Sequence, residues 1–380
     1  MDFDKEDKTA RLKHDITRNI NEANIIELIC DEKTKYKRNC GEYLDHFVAA
    51  IATKLREIVD FSTKPSLLPD RVRKSFDYNE ALAHLHHCVD IFMDSKHVTF
   101  DEHLSRLQAL LINGTRGDHQ LAIVKGLDGS GKSTITAKLC FRAREIFGKD
   151  AIVIPIFVGL TVGSCLMEDI FRSICSQINL ILKHELDIET YTVKKLTSYF
   201  HGLLNRISKS SRNLLVFIDG IDRAQLGQQA GNDSADWLAA RLPPKVHIVV
   251  TCNSSGDCAV IKRVESKLLT SDGVVYISPL SKEQCRTHLN QILAVAKRRL
   301  TDKQIDVAMS AILEEKNPLV NTVVAKIVQQ WGSDFDPDTI GENVLPTSIE
   351  SVVEYSLTTL EKSVGLSVVS AICSYIVLSR

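Results

Sequence analysis

The stretch LAIVKGLDGSGKSTITAKLCFRAREIF, residues 121–147, decides the fold. It begins with a short apolar run, passes through a glycine-rich loop and continues with an amphipathic helical pattern. The loop has the spacing G-x-x-x-x-G-K-[ST] between a predicted strand and a predicted helix, which is the context in which this motif binds phosphate. Glycines allow the backbone N–H groups to face a polyphosphate, and the N-terminus of the following helix adds positive potential. The stretch therefore predicts a phosphate-binding loop.

The side chains of this loop indicate a nucleotide and a metal ion. Lys132 is predicted to reach the β- and γ-phosphates, and Ser133 is predicted to place its hydroxyl on Mg²⁺. A glycine-rich turn without a ligand is the alternative, but strand, loop, Lys-Ser pair and helix occur together here. The predicted nucleotide-binding residues of the loop are Gly126, Gly129, Ser130, Gly131, Lys132, Ser133 and Thr134.

Two aspartates follow a second apolar run, LLVFIDGID at residues 214–222. An acid at the end of a buried strand is costly unless it serves a charged partner, and Mg²⁺ is the natural one for Asp219. Asp222 is predicted to orient or deprotonate the attacking water. Ser133 and Asp219 are thus the predicted metal ligands, and Lys132, Asp219 and Asp222 the predicted catalytic residues. A helix-capping role remains open for each aspartate, and more so for Asp222.

A third apolar run, VHIVVTCN at residues 246–253, ends in polar side chains. Thr251 and Asn253 are in a position to contact the γ-phosphate or the attacking water from a neighbouring strand. An ordinary polar strand end is an equally good interpretation. We include Thr251 among the predicted nucleotide-binding residues.

Strands alternate with helices through the middle of the chain, which predicts a parallel α/β sheet. Helical patterns precede and follow this part, and a helix is predicted at residues 43–59. The predicted fold class is α/β, a parallel-sheet P-loop NTPase core at residues 116–280. It is flanked by a helical lead-in region at 1–115 and a helical lid domain at 281–380. The predicted strands cover residues 121–125, 151–158, 213–219, 246–252 and 274–278.

Composition narrows the class of partner. The 380 residues carry 47 Lys and Arg against 48 Asp and Glu, so no broad basic field favours nucleic acid. The ten cysteines are scattered singly, which favours reduced thiols in the cytoplasm over a disulfide framework. The charged N-terminus does not resemble a signal peptide, and the apolar stretch at 364–378 is too short to span a bilayer. We expect a cytoplasmic chain with no membrane segment.

The glycine loop, the D-G-x-D acid pair and the T-C-N strand end resemble the NACHT group of signal-transducing P-loop ATPases. Within that group the chain is most similar to the NACHT and WD-repeat proteins, through PIFVGLTVGSCLMEDIFRSICSQI (155–178) and WLAARLPPKVHIVVT (237–251). The resemblance covers roughly residues 75–380. It implies a switch that binds ATP or ADP with Mg²⁺, a helical domain that closes on the nucleotide, and self-association or protein partners.

Several positions depart from the pattern of these relatives. Asn317-Pro318-Leu319 fits their G-x-P element with asparagine in place of glycine, and the resemblance implies that Pro318 packs against adenine. A proline at the first position of a helix is an equally good interpretation, and the two roles can coincide. Residues 97–102, HVTFDE, lack the Gly-Arg-Glu element that contacts base and ribose. Arg223 replaces a glutamate beside the attacking water, which predicts slow hydrolysis. The sequence ends before the winged-helix and repeat regions of these relatives, so we expect either a truncated product or a sensing module on another chain.

Two functions from different classes follow. The favoured one is an ATP/ADP switch with weak ATPase activity. The alternative is a nucleotide-independent scaffold, a degraded ATPase fold whose helical flanks at 1–115 and 281–380 bind a protein partner.

Overall fold

The computed structural model describes residues 70–95, 100–114, 120–182, 188, 191–225, 237–238, 242–255, 259–266, 273–332, 334–337 and 345–378. The chain divides into two compact units, residues 1–75 and 76–380. Only residues 70–75 of the first unit are described, and they form the start of a helix. The predicted helix at 43–59 lies outside the described residues.

The order of the elements follows the predicted alternation. The strands are β1 (Leu121–Gly126), β2 (Ile152–Phe157), β3 (Leu214–Asp219), β4 (Val246–Asn253) and β5 (Val274–Tyr276). Among the described residues, two helices precede the sheet, α1 (Asp70–Asp94) and α2 (Asp101–Gly114). Four lie between the strands: α3 (Lys132–Phe147), α4 (Met167–Ile181), α5 (Val193–Lys209) and α6 (Ala259–Ser266). Five follow: α7 (Lys282–Val295), α8 (Asp302–Glu315), α9 (Pro318–Val328), α10 (Ile349–Val364) and α11 (Leu366–Leu378).

The described strands form one parallel sheet in the order β2-β3-β4-β1-β5. The ends of neighbouring strands lie opposite each other: Gly126 pairs with Asn253, and Phe157 pairs with Asp219. The glycine loop, the first acid and the polar end of β4 therefore meet at one edge of the sheet. The predicted fold class, a parallel α/β core with helical flanks, is confirmed.

Both faces of the sheet are covered, which explains the nearly continuous apolar strands. In β3, Leu214, Val216 and Ile218 belong to a core shared with α4 and α5. The alternate residues Leu215 and Phe217 belong to a second core shared with α2 and α3. Successive side chains of a strand point to opposite faces, so one strand contributes to both cores.

A third core lies among the helices after the sheet, from α7 to α10. The sequence marks where these helices begin. Ser281 and Gln284 form a reciprocal capping box at the start of α7, and Thr301 and Gln304 do the same for α8. Asn317 caps α9, whose first residue is proline, a residue that lacks the N–H that would be unpaired at this position.

Two details differ from the sequence-based expectation. The polar stretch at residues 62–73, which contains Pro65 and Pro69, predicts a break between helices, but helix α1 begins at Asp70. Proline obstructs a helix on its N-terminal side, so a helix can begin directly after Pro69. Helix α6 was not predicted, because its eight residues are too few to show a period.

No described helix is long and apolar enough to span a bilayer. The described cysteines are free thiols, and five of the seven are buried: Cys88, Cys140, Cys175, Cys252 and Cys285.

The core beneath α4 contains three aromatic rings in mutual contact. Phe171 lies parallel to Trp237 at 4.6 Å between centroids and meets Phe200 edge-on at 5.2 Å. We expect Phe171→Ala to lower the free energy of unfolding by about 3–5 kcal/mol, because it leaves a cavity that these rings cannot fill. Urea denaturation measures the change. Leu180→Ala, at an exposed position of the same helix, is the control, with less than about 0.5 kcal/mol expected. Equal losses for the two variants would contradict this account of the core.

Candidate functional site

A cavity of about 710 Å³ opens at the carboxyl ends of the strands, where parallel α/β sheets bind ligands. Three parts of the chain enclose it. The glycine loop and strand ends contribute Asp128, Gly129, Gly131, Lys132, Ser133, Thr134, Asp219, Gly220, Asp222, Arg223, Thr251 and Asn253. The helices before the sheet contribute Ile91, Asp94, Ser95 and Phe100. Helices α7 and α9 and their flanks contribute His288, Ile292, Val295, Ala296, Pro318, Leu319, Thr322, Lys326 and Gln329.

Two glycines of the loop could not be replaced without strain. Gly131 immediately precedes α3 with φ 94°, and a Cβ atom there would collide with the ring of Phe100. Gly129 has φ 68°, and a Cβ atom there would lie 2.6 Å from Oδ1 of Asn317 and 2.9 Å from Cβ of Leu319. These are left-handed conformations that favour glycine. The loop is therefore tightly curved and closely packed, against Phe100 at Gly131 and against Asn317 and Leu319 at Gly129.

Lys132 folds back over the loop. Its ammonium donates hydrogen bonds to the carbonyl oxygens of Gly126 at 2.9 Å and Leu127 at 2.8 Å. Burial lowers the pKa of Lys132, while the nearby charges of Asp128, Asp219 and Asp222 oppose the shift. The ammonium therefore lies at the cavity among three carboxylates.

Asp219 is buried and accepts hydrogen bonds from three hydroxyls on two neighbouring elements. Ser133 Oγ donates to Oδ2 at 2.6 Å, and Thr251 Oγ1 donates to Oδ1 at 2.7 Å. Thr136 Oγ1 lies 3.4 Å from Oδ1. Thr251 also accepts the N–H of Gly220 at 2.9 Å, so its hydroxyl is fully engaged in holding the end of β3. The predicted pair of metal ligands, Ser133 and Asp219, is in direct contact.

Asp222 lies in a short 3₁₀ turn directly after β3, at the rim of the cavity. Its Oδ1 accepts the backbone N–H of Asn253 at 3.2 Å, which fixes the carboxylate beside the end of β4. Arg223 is largely exposed, and its Nη2 lies 3.9 Å from Oδ2 of Asp219. A cation therefore lies at the cavity beside the carboxylate of Asp219.

The start of α9 is tied to the glycine loop. Asn317 Nδ2 donates to the carbonyl oxygen of Asp128 at 2.7 Å, and Oδ1 of the same side chain accepts the N–H of Leu319 at 2.9 Å. The Leu319 N–H also lies 3.3 Å from the carbonyl oxygen of Gly129. Asparagine at this position therefore connects the C-terminal helices to the loop, a contact that glycine could not make.

Most of the predicted site residues meet at this cavity. Gly129, Gly131, Lys132, Ser133, Thr134, Asp219, Asp222, Thr251 and Pro318 all line it. Gly126 and Ser130 lie in the loop without being among the lining residues. The Gly126 carbonyl oxygen accepts from Lys132, and Ser130 Oγ is buried with no hydrogen-bond partner among the described residues.

Comparison with known proteins agrees with this geometry. Residues 120–295 match the family model of the NACHT domain. This part of the chain is similar to a NACHT domain. It begins one residue before β1 and ends with α7, so it contains the whole sheet and the glycine loop.

Curated proteins are also similar to this chain. NACHT domain- and WD repeat-containing protein 1 of Homo sapiens is 25% identical over 284 residues, which is 73% of this chain. The Mus musculus protein of the same name is 24% identical over 285 residues, again 73% of this chain. In both cases the matched region spans 18% of the relative's length.

Among solved structures, Cdc6p from Pyrobaculum aerophilum is 16% identical with a TM-score of 0.43. It matches 60% of this chain and 62% of its own. A likeness at this TM-score supports no conclusion about function.

Sequence reasoning missed one contact to the glycine loop and one residue that lines the cavity. The contact from Asn317 depends on the packing of α9 against a loop 189 residues earlier. His288 lies inside an amphipathic helix pattern and has no motif around it. Of the stretch at 97–102, residues 97–99 lie outside the described residues, and Phe100 packs beneath Gly131.

The role of Thr251 is open to a direct test. Thr251→Val keeps the shape but removes the hydroxyl that Asp219 and the Gly220 N–H both use. We expect it to lower the free energy of unfolding by about 1–3 kcal/mol, because two buried polar groups lose their partner. Thr251→Ser is the control, since it keeps the hydroxyl and loses one methyl, a cost of about 0.8 kcal/mol. Chemical denaturation compares them, and a valine variant as stable as the serine variant would show that the hydroxyl does not hold Asp219.

Proposed function

We propose that the chain binds ATP and ADP with Mg²⁺ in this cavity, hydrolyses ATP slowly and acts as a nucleotide-dependent switch. The observation that carries the proposal is the direct contact of Ser133 and Asp219 at 2.6 Å, next to the ammonium of Lys132. A hydroxyl, a carboxylate and a cation converge at the N-terminus of α3, which already favours anions.

The phosphate end of the ligand would be held by the glycine loop. Backbone N–H groups of the loop and of the first turn of α3 are available to phosphate oxygens. The ammonium of Lys132 would exchange its bonds to the Gly126 and Leu127 carbonyl oxygens for β- and γ-phosphate oxygens. Thr134, at the cavity wall, completes the predicted set of loop residues.

The protein donors fit Mg²⁺ bound together with the nucleotide. Ser133 and Asp219 supply two oxygens, and Mg²⁺ typically takes one or two protein ligands, several waters and phosphate oxygens. No cluster of three His, Cys, Asp or Glu residues suited to a metal ion occurs in the described part of the chain. When bound, Mg²⁺ would neutralise charge on the β- and γ-phosphates.

Slow hydrolysis is proposed from the surroundings of Asp222. Its carboxylate, fixed by the Asn253 N–H, is the group placed to orient or deprotonate a water. Arg223, next to it, contributes no second carboxylate and lies 3.9 Å from Asp219 instead. Fewer acids beside the water give less assistance to proton removal, so bound ATP would be hydrolysed slowly.

The switch is proposed from the contact between Asn317 and Asp128. A ligand that changes the position of the loop changes the hydrogen bond that holds the start of α9. Pro318 follows at the cavity wall and would pack against the base. Changes in the C-terminal helices would then alter contacts with protein partners or with a second copy of the chain.

A nucleotide-independent scaffold is the second candidate. Lys132 already donates hydrogen bonds to two carbonyl oxygens within the loop, so its ammonium has partners even when no phosphate is bound. The exposed cation of Arg223 beside Asp219 would compete with a metal ion. In this case the helical flanks would be the functional surfaces.

Titration with fluorescent ADP or ATP separates the two candidates. We expect micromolar binding by the parent protein and a loss of about tenfold or more for Lys132→Ala, since charge-assisted hydrogen bonds contribute about 1.5–3 kcal/mol. Lys209→Ala, at the exposed end of α5, is the matched control and should bind like the parent. A parent protein that binds no nucleotide supports the scaffold. A Lys132→Ala variant that binds as tightly as the parent contradicts the phosphate assignment.

A further inference from the structure

Helix α5 presents a basic face to solvent. No Asp or Glu occurs between residues 191 and 213. The basic residues of the helix are all exposed: Lys194, Lys195, Arg206 and Lys209. In a chain with 47 basic and 48 acidic residues, this is a strong local excess of one sign. A field of one sign attracts a partner surface of the opposite sign.

Two features of α5 do not suit the helix itself. Lys194 lies in the first turn, which contains no acidic residue, although the positive end of a helix dipole favours acids there. Gly202 lies in the middle of the helix, where glycine is unfavourable. No described atom lies within 4 Å of the position that a Cβ atom would take at Gly202. Packing within the described part of the chain therefore explains neither residue.

Helix α8 carries the opposite charge. Its acidic residues are all exposed: Asp302, Asp306, Glu314 and Glu315. The two glutamates lie at the C-terminal end of the helix, where the dipole favours cations and where α8 has no basic residue. The single lysine of the helix, Lys303, is paired with Asp336 at 2.7 Å between Nζ and Oδ1. The lysine therefore offsets an acid outside the helix, and α8 presents an acidic face.

The two faces match in spacing and in length. Residues four positions apart form one row on the surface of a helix. On α5 one such row consists of Lys194, Ser198, Gly202 and Arg206. On α8 one such row consists of Asp302, Asp306, Ser310 and Glu314. At a rise of 1.5 Å per residue, each row spans about 18 Å. Both rows therefore place charges of opposite sign at the same separation.

An antiparallel arrangement of α5 and α8 brings these charges together at both ends. Lys194 at the start of α5 then lies next to Glu314 at the end of α8, and Arg206 lies next to Asp302. Gly202, between the two cations, allows a close approach because it has no side chain. Both rows are exposed within one copy of the chain, so this contact requires two copies.

We propose that copies of this chain associate through α5 of one copy and α8 of the next. Because the two faces differ, the contact is heterologous, and each copy binds a different neighbour through each face. Such a contact builds a ring or a filament. None of the charged residues of the two faces lines the cavity, so the proposal goes beyond the proposed nucleotide switch and does not depend on it.

Sedimentation of the full chain at several concentrations measures the association. We expect an average mass above the 42.4 kDa of one chain at about 0.05 M NaCl. We expect the dissociation constant to rise about tenfold or more at about 0.5 M NaCl, because salt screens exposed ion pairs. A chain that is monomeric at low salt, or an association that salt does not weaken, overturns the proposal.

Charge reversal tests the two faces. We expect Lys194→Glu/Arg206→Glu and Asp302→Lys/Glu314→Lys each to raise the dissociation constant about tenfold or more, because each variant alone has two faces of the same sign. An equimolar mixture of the two variants should associate again, since each variant then meets the opposite sign. A variant that associates like the parent, or a mixture that stays monomeric, overturns the proposal.

A control with the same change in net charge lies on the other side of the sheet. Arg106 on α2 and Arg144 on α3 are exposed, and these two helices cover the face of the sheet opposite to α5. Arg106→Glu/Arg144→Glu should associate like the parent. An equal loss of association in this variant shows an effect of net charge alone and overturns the assignment to α5.

A measurement on the unmutated chain keeps the test available if a variant does not fold. A carbodiimide joins a lysine amine directly to a carboxylate with which it is in contact. We expect mass spectrometry to find a link between Lys194 and Glu314 in the cross-linked dimer and not in the monomer. A dimer without any link between α5 and α8 overturns the proposal. A chain that stays monomeric but binds a DNA duplex through Lys194 overturns it in favour of nucleic acid.

Discussion

The carboxylate of Asp219, buried at the end of a strand covered on both faces, is the constraint on which the site depends. A buried charge costs several kcal/mol unless its lone pairs are satisfied. Ser133 and Thr136 on α3 and Thr251 on β4 supply the hydrogen bonds. One carboxylate at the end of β3 therefore holds α3 and β4 together. The same arrangement keeps Ser133 and Asp219 together at the cavity, where two oxygens are available to a cation. The oxygens of Ser133 and Asp219 that stabilise the end of β3 are therefore the same oxygens that are proposed to bind the cation.

A second constraint connects this edge of the sheet to the C-terminal helices. The amide of Asn317 bonds the loop with its nitrogen and caps α9 with its oxygen, which leaves no room for a side chain at Gly129. The loop therefore has two sets of contacts, one with the sheet through α3 and one with α9. A ligand that moves the loop must change both, which gives the proposed switch a physical basis.

Local patterns were enough to predict the strands, the glycine loop and the meeting of Lys132, Ser133 and Asp219. Parallel strands bring their carboxyl ends to one edge, so residues far apart in sequence, such as Asp219 and Asn253, could be placed together without coordinates. The strand order, the engagement of Thr251 with Asp219 and the contact of Asn317 could not, because they depend on packing between distant segments. His288 carried no signal, since a single polar residue in an amphipathic helix does not show which neighbour it faces. Helix α6 was too short for its period to be recognised.

The most direct test of the account is the Mg²⁺ dependence of ADP affinity, measured with excess Mg²⁺ and with EDTA in the parent and in Asp219→Asn. The amide has nearly the shape of the carboxylate but carries no charge for a cation. The account predicts that Mg²⁺ tightens binding to the parent by about tenfold, in line with ~1.5 kcal/mol for charge-assisted contacts, and has little effect on the variant. An Asp219→Asn variant with the same Mg²⁺ dependence as the parent would contradict it.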